Sequence, residues 1–579
     1  MGPRLRGNHP SAGPAFLLEV AVAALAAAAS DVPEKFNVGP EHFMQANLHK
    51  EQALFLKPAD AHEATCQSRS FVQRRSEVSQ VSASGADFSS QSAVDVVIVG
   101  AGYSGLSVAH KLRQSNISFR VIEARHRLGG RILDEDISKR GDADDTIEIG
   151  GQWLHDTHSN AIAFMNAMGF DVYEPGQQEG LQKFPCSGCH GRVATSSGWL
   201  NASASGKATW PLSIEEMRLF HATLDTIWKE ISETPCKDPL SNPNAPIFDS
   251  LSYDAYLRQH HQLESFPEFE RVYGTLLDLC LEAEGAERVS ALHCLWKANC
   301  THSGQHAGGK FFRVRGGPQA SLKHLASELQ SMGSIWLSSE VLAIKDSDES
   351  DSEESDEKLK VVVTNTTTVL ARHVVLAGLP PAQLLKIKFV PQLPEEVSKL
   401  LSLLSLGSVR KYSLVYKAPW WRARGYSGSI RYVNYSLPSL DPQRCFDNSP
   451  YSASRGVLTC MTTGDVNRGL QRLSEEARRA ALQSVVHGAF GAAEADESPQ
   501  VVDKDWSRDA YSGGANVFYP TGTFSSSWPG TLQVFFHHQL SSSIWIAGAD
   551  YSHISHGYMN GAIGSGQAVA ERLVQTLHA

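Results

Sequence analysis

Apolar residues are unevenly spread along the chain, and their clearest run begins at Val94. Val96 to Val99 is apolar at every position, the length and composition of a strand buried on both faces of a parallel sheet. It passes into Gly100-x-Gly102-x-x-Gly105 and then Leu106-Ser-Val-Ala-His-Lys-Leu112, which reads as a helix. A second strand, Phe119 to Ile122, ends on Glu123. Asp134 to Asp145 is acid-rich and predicts an exposed loop, after which Thr146 to Ile149 is expected to re-enter the sheet. Residues 159–300 read as mainly helical, with loops at 174–210 and a Pro/Asn-rich break at 235–247.

Phe312 to Ala320 returns toward the first region and opens a helix from Ser321 to Met332. Trp336 to Ile344 and Leu359 to Thr364 predict a hairpin with Asp346 to Glu357 at its tip. That acidic tip reads as a solvated loop, with a phosphorylated or metal-binding tract as the alternative. Val374 to Ala377 predicts a further strand, closed by Gly378 and Pro380-Pro381. Lys386 to Pro529 carries strands richer in aromatics, consistent with a second sheet. Ser543 to Gly548 then brings a strand back to the first sheet, and the helix Gly561 to Leu577 closes the chain.

The three glycines have separate roles. Gly100 permits a tight turn, Gly102 lets a pyrophosphate approach the backbone, and Gly105 lets strand and helix pack closely. The helix N-terminus adds free N–H groups and partial positive charge. Glu123 stands 18 residues past Gly105, where this fold places a carboxylate on a ribose hydroxyl.

The continuation Glu123-Ala-Arg-His-Arg-Leu-Gly129-Gly130-Arg131 resembles that of flavin-containing amine oxidases of the monoamine and polyamine oxidase kind, and implies FAD rather than NAD. Arg131 would then help hold the phosphates. The resemblance extends over roughly 94–579 through separated motifs. It implies an α/β fold, a GR2-like Rossmann-type FAD-binding domain (93–158, 305–385 and 535–579) interleaved with an α+β substrate-binding domain (159–304 and 386–534).

Gly150-Gly151-Gln152-Trp153-Leu-His155-Asp156 resembles the segment that passes the flavin ring, and its Trp-Leu-His form is similar to polyamine oxidases, where the histidine faces substrate. By its chemistry His155 could hydrogen-bond an amine or set its protonation state, with a satisfied structural histidine as the alternative. Lys411, in Ser408 to Tyr416, matches the family lysine that holds a water against the flavin N5. It shares a strand face with Val409, Ser413 and Val415; the plain alternative is an edge-strand gatekeeper lysine. Trp506 followed by Tyr511 to Pro520 resembles the monoamine oxidase segment that carries a covalent flavin cysteine. That position is Ala515, so FAD is expected to be non-covalent. Asn516 occupies one wall of the family's aromatic cage, and Tyr558, in Gly557 to Ala562, the opposite wall. Gly548, Asp550, Met559 and Val341 complete the implied cofactor contacts. Asp550 lies one position later than the usual acid, which falls on Ala549.

No arginine occupies Gly151 to Trp153, where α-amino acid oxidases of this fold clamp a carboxylate, so a polyamine or primary amine is expected as substrate, with dioxygen as acceptor. An L-amino acid oxidase would need Arg313, Arg315 or an arginine in 410–424 to face the flavin. A flavin-loaded scaffold without turnover is the alternative of another class. Asp156, Glu282 and Glu284 are candidate acids for a distal ammonium.

At 579 residues the chain exceeds a single core, and a net charge of −10 argues against nucleic acid. Residues 1–14 are basic without an acid, and the apolar stretch Ala15 to Ala29 follows, the layout of a secretory signal interrupted by Glu19. An Ala-rich helix or an organelle transit segment is the alternative. The stretch is too short and interrupted to predict a stable membrane span. Residues 31–92 read as a linker or disordered arm. Sequons begin at Asn116, Asn201, Asn299, Asn365 and Asn434, and nine cysteines leave at least one outside any disulfide. Cys186-Ser-Gly-Cys189-His190 matches a haem-attachment pattern, but a half zinc site, a disulfide or a plain loop fits it as well. No metal is assigned to the candidate site.

Overall fold

The computed structural model describes residues 93–139, 141, 143–175, 190–195, 198–203, 214–261, 263–265, 284–302, 310–330, 334–347, 358–432, 444–491, 497–527 and 531–578. The N-terminal arm, Cys186, Cys189, Glu282, most of the acidic tip and Asn434 lie outside them. Strand β1 (Val94–Val99) runs parallel to β2 (Phe119–Ile122) on one side and to the long strand Thr368–Ala377 on the other. Ile544–Ala547 extends the parallel part beside Thr368–Ala377. Ile335–Trp336 forms the edge next to β2. The antiparallel hairpin Val341–Asp346 and Lys360–Thr364, with Lys388–Val390, completes eight strands. Lys388–Val390 thus joins the first sheet although it lies past residue 385.

Alternation explains why β1 is apolar throughout. Val97 and Val99 enter one apolar cluster, Val96 and Ile98 a second, so both faces are covered. On the second face lie helix α1 (Tyr103–Gln114) and the closing helix Met559–His578. They touch so closely that a Cβ on Gly566 would meet the Ser104 carbonyl oxygen at 2.4 Å.

Two expectations need correction. Thr146–Glu148 does not re-enter the main sheet; it pairs with Asp134–Asp136 in a separate ribbon. Asp134 is not in an exposed loop, because its carboxylate accepts the Gln319 N–H at 2.7 Å, at the start of helix Pro318–Gln330. Burial raises its pKa. The second correction concerns 174–210, where His190–Thr195 and Gly198–Ser203 form a hairpin. Its partner strand, Tyr426–Tyr432, is far away in sequence, so tertiary pairing overrides a Gly/Ser-rich local pattern.

That hairpin ends the second sheet, of seven strands, in the order Gln500–Asp505, Val409–Tyr416, Gly456–Thr463, Arg444–Asp447, Tyr426–Tyr432, His190–Thr195, Gly198–Ser203. Helices Ile214–Ser232, Ala245–Ser250 and Ala291–His302 lie in the span read as helical. Disulfides join Cys236 to Cys300 and Cys445 to Cys460. The Asn299 amide donates to the Thr234 carbonyl at 3.0 Å, which turns that sequon inward. Among the described residues, no helix is long and apolar enough to cross a membrane.

The glycine turn generates a paired prediction. A Cβ on Gly105 would lie 1.9 Å from the Gly100 carbonyl oxygen, whereas one on Gly102 meets nothing closer than the Gly129 carbonyl at 3.7 Å. Gly105→Ala should therefore lower stability by at least about 3 kcal/mol in denaturant unfolding, the upper range for forcing an atom into a packed interior. Gly102→Ala should cost less than about 1 kcal/mol, a weakened helix cap. Equal losses would contradict this division of roles.

Candidate functional site

The turn from β1 to α1 brings its donors together without a side chain to use them. Gly100 has φ +110°, open to glycine but strained for other residues, and donates its N–H to the Ile122 carbonyl at 2.8 Å. Gly102 caps α1 with no side-chain hydrogen bond, so the helix presents its first N–H groups and positive end to the turn. The buried Glu123 carboxylate accepts the N–H groups of Ala101 and Arg125, each at 2.8 Å. A carboxylate has about four acceptor positions, so two remain for hydroxyls. Gly129 closes the turn, donating to the Ala101 carbonyl at 2.9 Å. The open space at Gly102 is what a phosphate against the backbone requires, and the set fits a dinucleotide.

Lys411 connects the second sheet to this region. Its strand lies between Gly456–Thr463 and Gln500–Asp505, so it is not an edge-strand gatekeeper. The side chain is 6% exposed, and its Nζ donates to the Gly150 carbonyl at 2.7 Å and to Gln152 Oε1 at 3.0 Å. Burial pulls its pKa down to about 8, against the opposing pull of the Glu148 carboxylate. Gln152 in turn donates to Asn448 Oδ1 at 2.5 Å. Glu148 is held by Arg313 through two hydrogen bonds, 3.2 and 2.6 Å, and Arg313 also donates to the Ser449 carbonyl at 2.7 Å. Trp506 donates to the Ile149 carbonyl at 3.0 Å, and Gly151 to the Arg131 carbonyl at 3.1 Å.

The segment beyond Gln152 is aromatic. Trp153 packs edge-on against Phe446 at 5.5 Å and Phe311 at 6.2 Å. The His155 ring meets Phe311 at 5.1 Å, and its Nδ1 lies 2.8 Å from Thr157 Oγ1 and from Asp156. His158 lies between His155 (5.9 Å) and Tyr558 (5.2 Å), measured ring to ring. Tyr558 also carries the Lys297 ammonium over its face at 5.7 Å. Asn516 lies against Gly557, the residue before Tyr558: a Cβ on Gly557 would stand 3.4 Å from its Cγ.

Arg131 and Asp550 hold each other, an arrangement their separate assignments did not suggest. The guanidinium donates to both carboxylate oxygens, one at 3.0 Å, and to the Ala515 carbonyl. The Asp550 side chain is fully buried, so its charge requires that partner. Gly548 donates to Ser565 Oγ at 2.9 Å, and the buried Met559 opens the closing helix. Val341 sits in the apolar cluster, paired with Thr364.

Other charges are committed elsewhere. Glu284 accepts from Arg468 at 2.8 and 3.1 Å, which makes it a structural tie rather than a receptor for an ammonium. Arg315 is held by Asp144, Arg410 by Asp503 and Arg422 by Asp447. Sequence reasoning missed Asn448, His158 and Lys297, and the link from Glu148 to Lys411. Asn448 has no local signal, since its partner is 296 residues away. The apolar, helical spacing of Ala291 to His302 disguises Lys297 as one polar position on a core helix.

Comparison with known proteins agrees with this architecture. Residues 103–574 match the family model described as flavin containing amine oxidoreductase. The chain is 26% identical over 508 residues to amine oxidase [flavin-containing] B of Homo sapiens, covering 83% of this chain and 86% of that protein. It is 24% identical over 499 residues to amine oxidase [flavin-containing] A of Bos taurus, covering 83% and 85%. Among solved structures, putrescine oxidase bound to putrescine superposes with a TM-score of 0.70 at 22% identity, over 83% of this chain and 99% of that one. Cyclohexylamine oxidase from Brevibacterium oxydans does so with a TM-score of 0.70 at 21% identity, over 84% and 100%. The chain therefore belongs to the flavin-containing amine oxidoreductases, enzymes that act on amines with a flavin cofactor.

Proposed function

We propose that this protein binds FAD non-covalently and oxidises a polyamine or a primary amine, releasing an imine that hydrolyses to an aldehyde. The observation that carries this reading is Lys411, buried in the interior of a sheet and aimed at Gly150 and Gln152. When bound, FAD supplies the two-electron acceptor that dioxygen reoxidises, with hydrogen peroxide as product. Gly100, Gly102 and Glu123 would hold the dinucleotide, with Gly105 packing α1 against the turn, while Gly151, Gln152, Trp153 and Trp506 would line its ring. Tyr558 and Asn516 orient the amine, and His155 and His158 set the polar end of that surface. Lys411, with its pKa near 8, accepts and returns a proton through a water.

Three observations support the finer points. Alanine at 515 offers no sulfur for a thioether. Arg313, Arg315, Arg410 and Arg422 are each neutralised by an acid, which favours an amine without a carboxylate over an L-amino acid. The disulfides Cys236–Cys300 and Cys445–Cys460 favour maturation in an oxidising, secretory compartment.

Acid precipitation of the purified protein should leave all the yellow colour in the supernatant; colour retained in the pellet would contradict non-covalent FAD. Lys411 should also set a pH dependence. Its neutral form is the proton acceptor, so reoxidation of the reduced protein by air should rise through a transition centred near pH 8. Lys411→Met should keep its FAD, lose that transition and reoxidise at least about 100-fold more slowly at high pH. An unchanged profile in the variant would remove the lysine from the reaction.

A further inference from the structure

Three side chains outside the candidate flavin site converge in a way that the reaction does not use. Glu230, on helix Ile214–Ser232, faces His260 and His261. The chain from Tyr256 to His260 winds in a wide helical turn, closed by the His261 N–H to the Tyr256 carbonyl at 3.1 Å. Turns of this wide kind are rare and concentrate at functional positions. Across it, the Nε2 atoms of both histidines reach the same carboxylate, His260 at 3.2 Å from Oε1 and His261 at 3.2 Å from Oε2. All three ligand atoms lie within 4.8 Å of one another.

We propose that Glu230, His260 and His261 form a site for a divalent cation of the zinc class. Zinc takes imidazole nitrogen and carboxylate oxygen at about 2.0–2.2 Å, and the edge of such a tetrahedron is about 3.3–3.5 Å. Each observed nitrogen-to-oxygen separation is close to that edge, although the two rings reach different oxygens of the carboxylate and the whole set is bounded only at 4.8 Å, so binding draws the ligands together around the ion. It replaces the protons that otherwise join the rings to the carboxylate, and water takes the fourth position. Tyr256 supplies the outer support expected of a built site: its hydroxyl donates to Glu230 Oε2, and its ring stacks on His260 at 5.4 Å. Tyr256 and Glu230 are buried, whereas the His260 side chain is 34% exposed, which gives the ion a way in. The bound ion would pin the turn to helix Ile214–Ser232.

The test uses untagged, flavin-loaded protein dialysed against a chelator and then titrated with Co²⁺. One equivalent should bring up the visible ligand-field band of tetrahedral cobalt, and Zn²⁺ should abolish it. His260→Ala and Glu230→Gln should lose the band while keeping their flavin, which reports that they remain folded. Tyr256→Phe should keep the band with cobalt affinity weakened by about 10-fold. No band in the wild-type protein would overturn the proposal. So would a band that survives in His260→Ala, or one accompanied by the near-ultraviolet absorption of sulfur bound to cobalt, which would place the ion on cysteines such as those of Cys186-x-x-Cys189-His190.

Discussion

A lysine withdrawn from water must find acceptors or lose its charge, and Lys411 does part of each. Its ammonium donates to the Gly150 carbonyl and the Gln152 amide, while burial brings its pKa down to about 8. The bond crosses from the second sheet to the segment that follows the Asp134–Asp136 and Thr146–Glu148 ribbon. Everything near it depends on that crossing. Gln152 can accept from Lys411 because its own amide N–H donates to the buried Asn448. Glu148 can sit fully buried nearby because Arg313 neutralises it. Removing either partner would leave a charge or amide unsatisfied in a dry interior, which costs far more than the bond itself contributes.

The same constraint shapes the opposite side of the site. Arg131 and Asp550 come from segments separated by most of the chain, and each answers the other's charge. Arg131 also holds the Ala515 carbonyl, and Asn516 is the next residue, against Gly557. A backbone carbonyl held this way positions the wall that follows it. The charge pairs Glu148–Arg313 and Arg131–Asp550 are thus each settled internally, while Lys297 over Tyr558 and Lys411 beside Gln152 are the cations that the site itself presents.

The β1–turn–α1 unit was legible in the sequence because local physics specifies it: an apolar run, three glycines with distinct steric roles, and an acid at the end of the next strand. Lys411 was legible as a residue on an inward strand face, although only the structure puts its strand in the sheet interior. Asp134 was misread because an acid-rich stretch normally seeks water, and nothing local announces that Gln319, 185 residues away, offers its N–H. The hairpin at His190–Ser203 was hidden for the same reason, its partner strand being distant in sequence. The convergence of Glu230 with His260 and His261 could not be read from spacing, because 30 residues and three short helical segments separate the acid from the first histidine.

The proposed function places an amine on the surface formed by Tyr558, Asn516 and Gln152, next to the flavin. The most direct measurement is anaerobic bleaching of the oxidised-flavin absorbance by putrescine, spermine, a phenylalkylamine and several L-amino acids, each added in turn. Bleaching by at least one of the amines, reversed by air with release of peroxide, is the predicted result. Bleaching by L-amino acids alone would contradict it, and would mean that a cation in the site anchors a carboxylate.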